Sequence, residues 1–211
     1  HNEMSDSVFM GCAILAELGR LTGEERYFQM ALRHLRFMET LDLRPDGLYR
    51  HSPLDEAAWG RGNGFPALGL TWALDAMPAD ARERAPFLEA YRNLMAALVE
   101  YQDPTGMWHQ VIDHEGSYRE LTSTSMVGYA LSRGLRTGWI EGDKYERAVD
   151  RAWYGVKTRV APDGSLVDVC TSTGKQESLQ AYLDREAILG RDDRGGAMAL
   201  LFAVEMAGRT R

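Results

Sequence analysis

A chain of 211 residues with 45% apolar and 26% charged side chains is long enough to bury a sizeable core, and a net charge of −7 with only scattered basic residues excludes a nucleic-acid-binding surface. No apolar run reaches membrane-span length, and two cysteines, Cys12 and Cys170, give neither a disulfide framework nor metal-ligand spacing. No metal or organic cofactor is implied, and without a signal-like stretch the expected compartment is the cytoplasm, or the periplasm if a leader precedes residue 1.

In chain order, Ser5 and Asp6 precede an apolar run, Val8–Leu18, in which Glu17 is the one charge. Asp6 there suits either a helix N-cap or a catalytic carboxyl. Cys12, inside this run, reads as a buried thiol. An amphipathic run, Glu24–Met38, follows. Next comes "PDGLYRHS" from Pro45, a Pro-x-Gly turn opening into a short extended stretch that carries His51. The run "AAWGRGNGFPALGL", residues 57–70, sets Trp59 and Arg61 among glycines that permit a tight turn, and leads into an apolar helix, Ala67–Met77. Leu88–Tyr101 is amphipathic, and "PTGMWHQV" from Pro104 repeats the Pro-x-Gly turn. Trp108 in that turn either stacks on a ligand or packs beneath its own turn. His109 and His114 lie close together but lack a zinc-like spacing with Cys or Glu. "ELTSTS" reads as a helix start with capping hydroxyls before apolar Met126–Leu135. Amphipathic Lys144–Val156, a third turn "PDGSLVDV" from Pro162, and "GRDDRGG" as a capped start to apolar Ala197–Ala207 complete the chain.

The three prolines lie 59 and 58 residues apart, a period that marks repeated supersecondary units. Each unit pairs a helix apolar nearly all round with an amphipathic one. The first kind must be buried on all sides and the second must cover it, which gives concentric inner and outer layers. The expected fold is all-α: an α/α toroid of helical hairpins, with the few strands confined to the Pro-x-Gly turns. Closing a ring of six such hairpins takes roughly 350 residues. Residues 1–211 therefore read as a single α/α-barrel domain of about three and a half hairpins that lacks its N-terminal ones. Its open edge calls for a cover, either that upstream segment or self-association. Parallel inner helices bring their N-termini to one mouth, where free N–H groups and dipole ends favour an anion. Arg61 offers a bidentate clamp for a carboxylate there, and Trp59 a flat face for a sugar ring.

"SDSVFMG", "GLYRHS", "WGRGNGF", "ELTSTSMVGYAL" and "YLDREAILGRDDRGGAMALLFAVEM" resemble, in that order and over the whole chain, the unsaturated glucuronyl and rhamnogalacturonyl hydrolases, glycoside hydrolase families 88 and 105, closer to the latter. The resemblance implies a six-hairpin α/α barrel and a substrate that is a lyase-generated oligosaccharide ending in a 4,5-unsaturated uronic acid. It makes Asp6 the general acid/base, His51 a substrate contact, and Trp59 and Arg61 ligands of the unsaturated sugar. Phe65 stands where the family usually has Trp, keeping a hydrophobic wall without the indole donor. The family's second essential Asp lies upstream of any position in this chain. The rim at residues 103–120, with Trp108 and His109, is expected to govern specificity beyond the first sugar. A second reading is a truncated, non-catalytic toroid that binds acidic sugars or acts as a scaffold. A third, an epimerase using His51 and His109, ranks below both.

Overall fold

A computed structural model describes residues 3–209. One π-helical turn, Val8–Ala13, runs into α1 (Ile14–Thr22). Seven further helices follow: α2 (Glu25–Asp42), α3 (Gly60–Ala76), α4 (Arg84–Glu100), α5 (Leu121–Thr137), α6 (Asp143–Lys157), α7 (Leu179–Leu183) and α8 (Asp193–Arg209). The inner row is the π turn with α1, then α3, α5 and α8, each packed on the next. Helices α2, α4 and α6 back α1, α3 and α5 from outside. The layering follows from composition. Leu68, Leu70, Ala73 and Leu74 of α3, and Leu121, Val127, Ala130 and Leu131 of α5, point different ways around their helices yet are all buried. Three of the hydroxyls that enter this row are satisfied locally: Thr71, Thr124 and Ser125 donate to the carbonyls four residues back.

The inner helices start earlier than the apolar pattern suggests, and the glycines of "WGRGNG" serve a different purpose. Helix α3 begins at Gly60, so Arg61 and Asn63 lie in its first turn. None of Gly60, Gly62 and Gly64 has positive φ. A Cβ on Gly60 would sit 2.9 Å from the His109 carbonyl and from Ser123 Oγ, and one on Gly62 would sit 3.0 Å from Ser5 Oγ. These glycines admit neighbouring segments to the helix start instead of bending the chain. Helix α5 likewise begins at Leu121, and its cap is the Glu120 carboxylate accepting from the Ser123 N–H, not a hydroxyl. Where the π turn crosses α3, a Cβ on Gly69 would lie 2.6 Å from Phe9 Cα, so the two backbones touch.

The three Pro-x-Gly turns are built alike. Gly47, Gly106 and Gly164 have φ of 84°, 88° and 82°. The residue before each proline donates its N–H across the turn: Arg44 to the Leu48 carbonyl (2.8 Å), Asp103 to Met107 (2.9 Å) and Ala161 to Ser165 (2.8 Å). After the third turn comes β1 (Leu166–Cys170), which pairs antiparallel with β2 (Ala187–Gly190). Strand β2 lies outside the turns, contrary to the expectation that strands are confined to them. The long connection carrying α7 folds back, so an extended segment that follows no such turn finds an edge to pair with.

Only Gly106 among the three turn glycines carries both backbone strain and a backbone clash. A Cβ there would lie 2.3 Å from the Arg151 carbonyl oxygen, while at Gly164 nothing lies within 4 Å. Gly164→Ala is expected to cost about 1 kcal/mol for the left-handed conformation alone. Gly106→Ala is expected to cost more than about 3 kcal/mol, because the α6 backbone has to move. Urea midpoints of the two variants measure the difference, and equal midpoints would contradict the close approach.

At the two ends of the inner row the apolar surface is open. Met10 (56%) and Ile14 (60%) are exposed on one side, Leu200 (65%) and Val204 (64%) on the other. A cavity of about 690 Å³ runs along the first of these faces, lined by Phe9, Ile14, Leu18, Trp72 and Tyr129 among others. Among the described residues no helix is long and apolar enough to cross a membrane.

Candidate active site

The starts of the inner helices meet at one end of the row. The Ser5 N–H donates to the His51 carbonyl (3.0 Å), which ties the start of the π turn to the extended stretch after the first Pro-x-Gly turn. That stretch is clamped to α3 by Asn63. Its Oδ1 accepts from the Tyr49 N–H (2.8 Å), and its Nδ2 donates to the Tyr49 carbonyl (2.8 Å) and to that of Trp59 (3.1 Å). The Ser5–His51 backbone bond and the Asn63 side-chain clamp on Tyr49 and Trp59 thus fix the segment that carries His51. From the far end of the chain, α7 brings in Tyr182, held by Gln110 Nε2 donating to its carbonyl (2.9 Å).

The result is a continuous polar and aromatic stack. Asp6 Oδ2 lies 3.0 Å from His51 Nε2, and His51 Nδ1 lies 2.9 Å from the Tyr182 hydroxyl. The Asp6 carboxylate is 16% exposed, while the His51 side chain is buried. The His51 ring packs on the Trp59 indole with centroids 4.5 Å apart, and the Arg61 guanidinium carbon lies 4.9 Å from the Trp59 ring centre. Arg61 is 3% exposed, and its Nη1 donates to the Cys170 carbonyl (3.2 Å). No carboxylate among the described residues comes within salt-bridge distance of Arg61, and its Nε is buried without a protein partner. A buried guanidinium with no counter-charge is a strong site for an anion. Trp59 Nε1 and Ser5 Oγ are likewise buried and unpartnered. The arrangement offers one carboxyl, a histidine held against it, and, on the same Trp59 ring as that histidine, a guanidinium with no carboxylate partner among the described residues.

The Glycosyl Hydrolase Family 88 model matches residues 3–210. The chain belongs to glycosyl hydrolase family 88. It is 31% identical over 157 residues to the 24.9 kDa protein in the picA locus of Rhizobium radiobacter, covering 66% of this chain and 67% of that one. It is 26% identical over 186 residues to the unsaturated rhamnogalacturonyl hydrolase YesR of Bacillus subtilis strain 168, covering 84% of this chain and 52% of that protein. In fold it matches a possible GH105 member from Salmonella enterica serovar Paratyphi A with a TM-score of 0.89 at 23% identity, over 99% of this chain and 57% of that one. This family 88 chain therefore spans little more than half the length of YesR and of that solved structure.

Asp6, His51, Trp59 and Arg61, singled out in the sequence, stand together. Phe65 sits one turn along α3 and packs on Phe9 (centroids 5.6 Å). The Asp6 carboxylate faces His51, and no side chain caps the π turn. Three expectations need correction. Trp59 is only 2% exposed, with His51 and Arg61 against its ring, so it orders its neighbours and offers no free face to a sugar. Trp108 is fully buried in the main core, with Nε1 donating to the Leu98 carbonyl (2.7 Å), so it packs beneath its own turn. His109 turns away from the stack: its Nδ1 bonds the Ser117 carbonyl (2.6 Å), and its Nε2 lies 3.7 Å from Asp103. His51 and His109 share no hydrogen-bond partner among the described residues, which does not favour a paired-histidine epimerase site. Cys12 is a buried thiol whose pKa burial pushes up, as its apolar run suggests.

The sequence patterns assign no role to Asn63, inside "WGRGNGF", to Tyr182, inside the closing motif, or to Asp42, the last residue of α2. Its carboxylate is buried with both oxygens unpartnered. Burial pushes its pKa up to about 7; the charges of Glu3 and Asp6 add to the rise, and Arg50 and Lys175 oppose it. The folded state holds this proton more tightly than the unfolded chain does. The contribution of Asp42 to stability therefore declines as pH rises from 3.8 to about 7, and is level above. Asp42→Asn is expected to remove that slope and raise the unfolding midpoint above neutral pH. A midpoint-against-pH curve identical to wild type would show that the carboxyl is solvated.

Proposed function

We propose that the chain carries the acid/base half of an unsaturated glycuronyl hydrolase, acting on lyase-generated oligosaccharides that end in a 4,5-unsaturated uronic acid. The carrying observation is the pairing of Asp6, hydrogen-bonded to His51, with a buried Arg61 that lacks a counter-ion. In the substrate, C4=C5 and the ring oxygen form a vinyl ether. Protonated Asp6 delivers its proton to C4, and positive charge develops at C5 and the ring oxygen. Water adds at C5 and returns a proton to Asp6, so the carboxyl ends as it began. The C5 hemiketal then opens to a ketone, and the freed C1 hemiacetal expels the remaining sugar. The proton transfers run through one carboxyl because the nucleophile attacks C5, not C1 as in two-carboxylate glycosidases. Arg61 pairs with the uronate carboxylate next to C5.

The similarity to YesR, an unsaturated rhamnogalacturonyl hydrolase, supports this reading and favours rhamnogalacturonan-derived products first. The test is incubation of the chain, and of a version extended upstream, with oligosaccharides from rhamnogalacturonan, ulvan and glycosaminoglycan lyases. The expected result is loss of the ultraviolet absorbance of the conjugated uronate. Retention of that absorbance on every digest by both proteins would refute the reading and leave a toroid that binds acidic sugars.

A further inference from the structure

The Asp6–His51 contact leaves open which ring nitrogen of His51 carries its hydrogen, and the far side of the ring answers that. Nδ1 faces the hydroxyl of Tyr182 at 2.9 Å. That same hydroxyl oxygen accepts the Gln176 backbone N–H (3.2 Å), and His51 Nδ1 is its one other hydrogen-bond partner among the described residues. Tyr182 is fully buried, so its own hydrogen needs an acceptor, and Nδ1 of His51 is the one in place. Burial pushes the Tyr182 pKa up, so the phenol keeps that hydrogen. Nδ1 of His51 must then accept, and the ring's single hydrogen sits on Nε2, facing Asp6 Oδ2 at 3.0 Å.

We infer that Tyr182 is a positioning residue that locks His51 in the Nε2–H tautomer, so that His51 donates to Asp6 and cannot take the proton of the Asp6 carboxyl. The consequence for the proposed reaction, on which this part rests, is a division of labour between the two carboxylate oxygens. Oδ2 accepts from His51 throughout the cycle. The acidic hydrogen is carried on Oδ1, free to reach C4. When Asp6 has given up its proton, the same Nε2–H stabilises the carboxylate. In the opposite tautomer a bare Nε2 would face Asp6 and draw the acidic hydrogen onto the imidazole, away from the substrate. The groups around the ring are few: Asp6 at Nε2, Tyr182 at Nδ1 and the Trp59 indole against one face. The contact joins residues 131 positions apart in the sequence.

The test is ¹⁵N spectroscopy of the histidine rings in the chain itself, with His51 assigned by the signal lost in His51→Asn. The expected wild-type pattern is a protonated Nε2 and a bare Nδ1. In Tyr182→Phe the fixed pattern is expected to give way to a tautomer mixture. On a turned-over substrate, kcat of Tyr182→Phe is expected to fall about tenfold or more with KM nearly unchanged. A protonated Nδ1 in wild type, or an unaltered pattern in Tyr182→Phe, overturns the inference. The wild-type spectrum decides even if the variant does not fold. The spectroscopic readout needs no substrate, so a locked tautomer in a protein without hydrolase activity would refute the proposed reaction while leaving the lock standing.

Discussion

Asp6→Asn is expected to lower kcat by roughly 10²–10⁴-fold, the usual contribution of a positioned general acid. The substitution keeps size and shape. The new amide oxygen can still accept from His51 Nε2, 3.0 Å from Asp6 Oδ2 in the wild-type chain. What it cannot do is give a proton to C4 or take one from the attacking water. Binding should survive, because the charge that meets the substrate is on Arg61, further along the stack. The measurement is kcat and KM on the best lyase-derived substrate, with the unfolding midpoint as control. A folded Asp6→Asn variant retaining more than about a tenth of wild-type kcat would remove Asp6 from the chemistry.

Arg61→Lys is expected to reduce kcat/KM about tenfold to a hundredfold, because a charge-assisted hydrogen bond to a desolvated carboxylate contributes about 1.5–3 kcal/mol. Lysine keeps the charge but loses the planar fork. It also loses the flat contact on the Trp59 ring, where the guanidinium carbon lies 4.9 Å from the ring centre. That contact makes the competing explanation concrete: Arg61 as a lid on Trp59, hydrogen-bonded to the Cys170 carbonyl. The two separate cleanly. A uronate clamp predicts a loss concentrated in kcat/KM with a near-normal unfolding midpoint. A purely structural lid predicts a lowered midpoint and near-normal kinetics in the surviving folded protein.

Some of this molecule is encoded locally. The alternation of all-apolar and amphipathic helices is a property of each segment's own composition, and it dictates which helices lie inside. The Pro-x-Gly turns need only proline before and a left-handed glycine after, and Gly47, Gly106 and Gly164 adopt that geometry at all three repeats. Asp6, His51, Trp59 and Arg61 were legible because their short motifs, taken in order, resemble a known family. Other features were decided by approach of distant segments. A Trp in a turn has the same sequence signature whether its ring faces solvent or core. Trp108 became core because Leu98 offers its indole a carbonyl 2.7 Å away. Trp59 lost its free face because His51 and Arg61 close on it from residues before and after. The glycines of α3 suggested a bend in the sequence, and only the arrival of Ser5, His109 and Ser123 shows that they make room. Tyr182 meets His51 because α7 folds back across the mouth, and no local pattern records a hydrogen bond between residues 131 apart. Periodicity is read from neighbours in the chain; the orientation and partner of a buried polar group are set by neighbours in space.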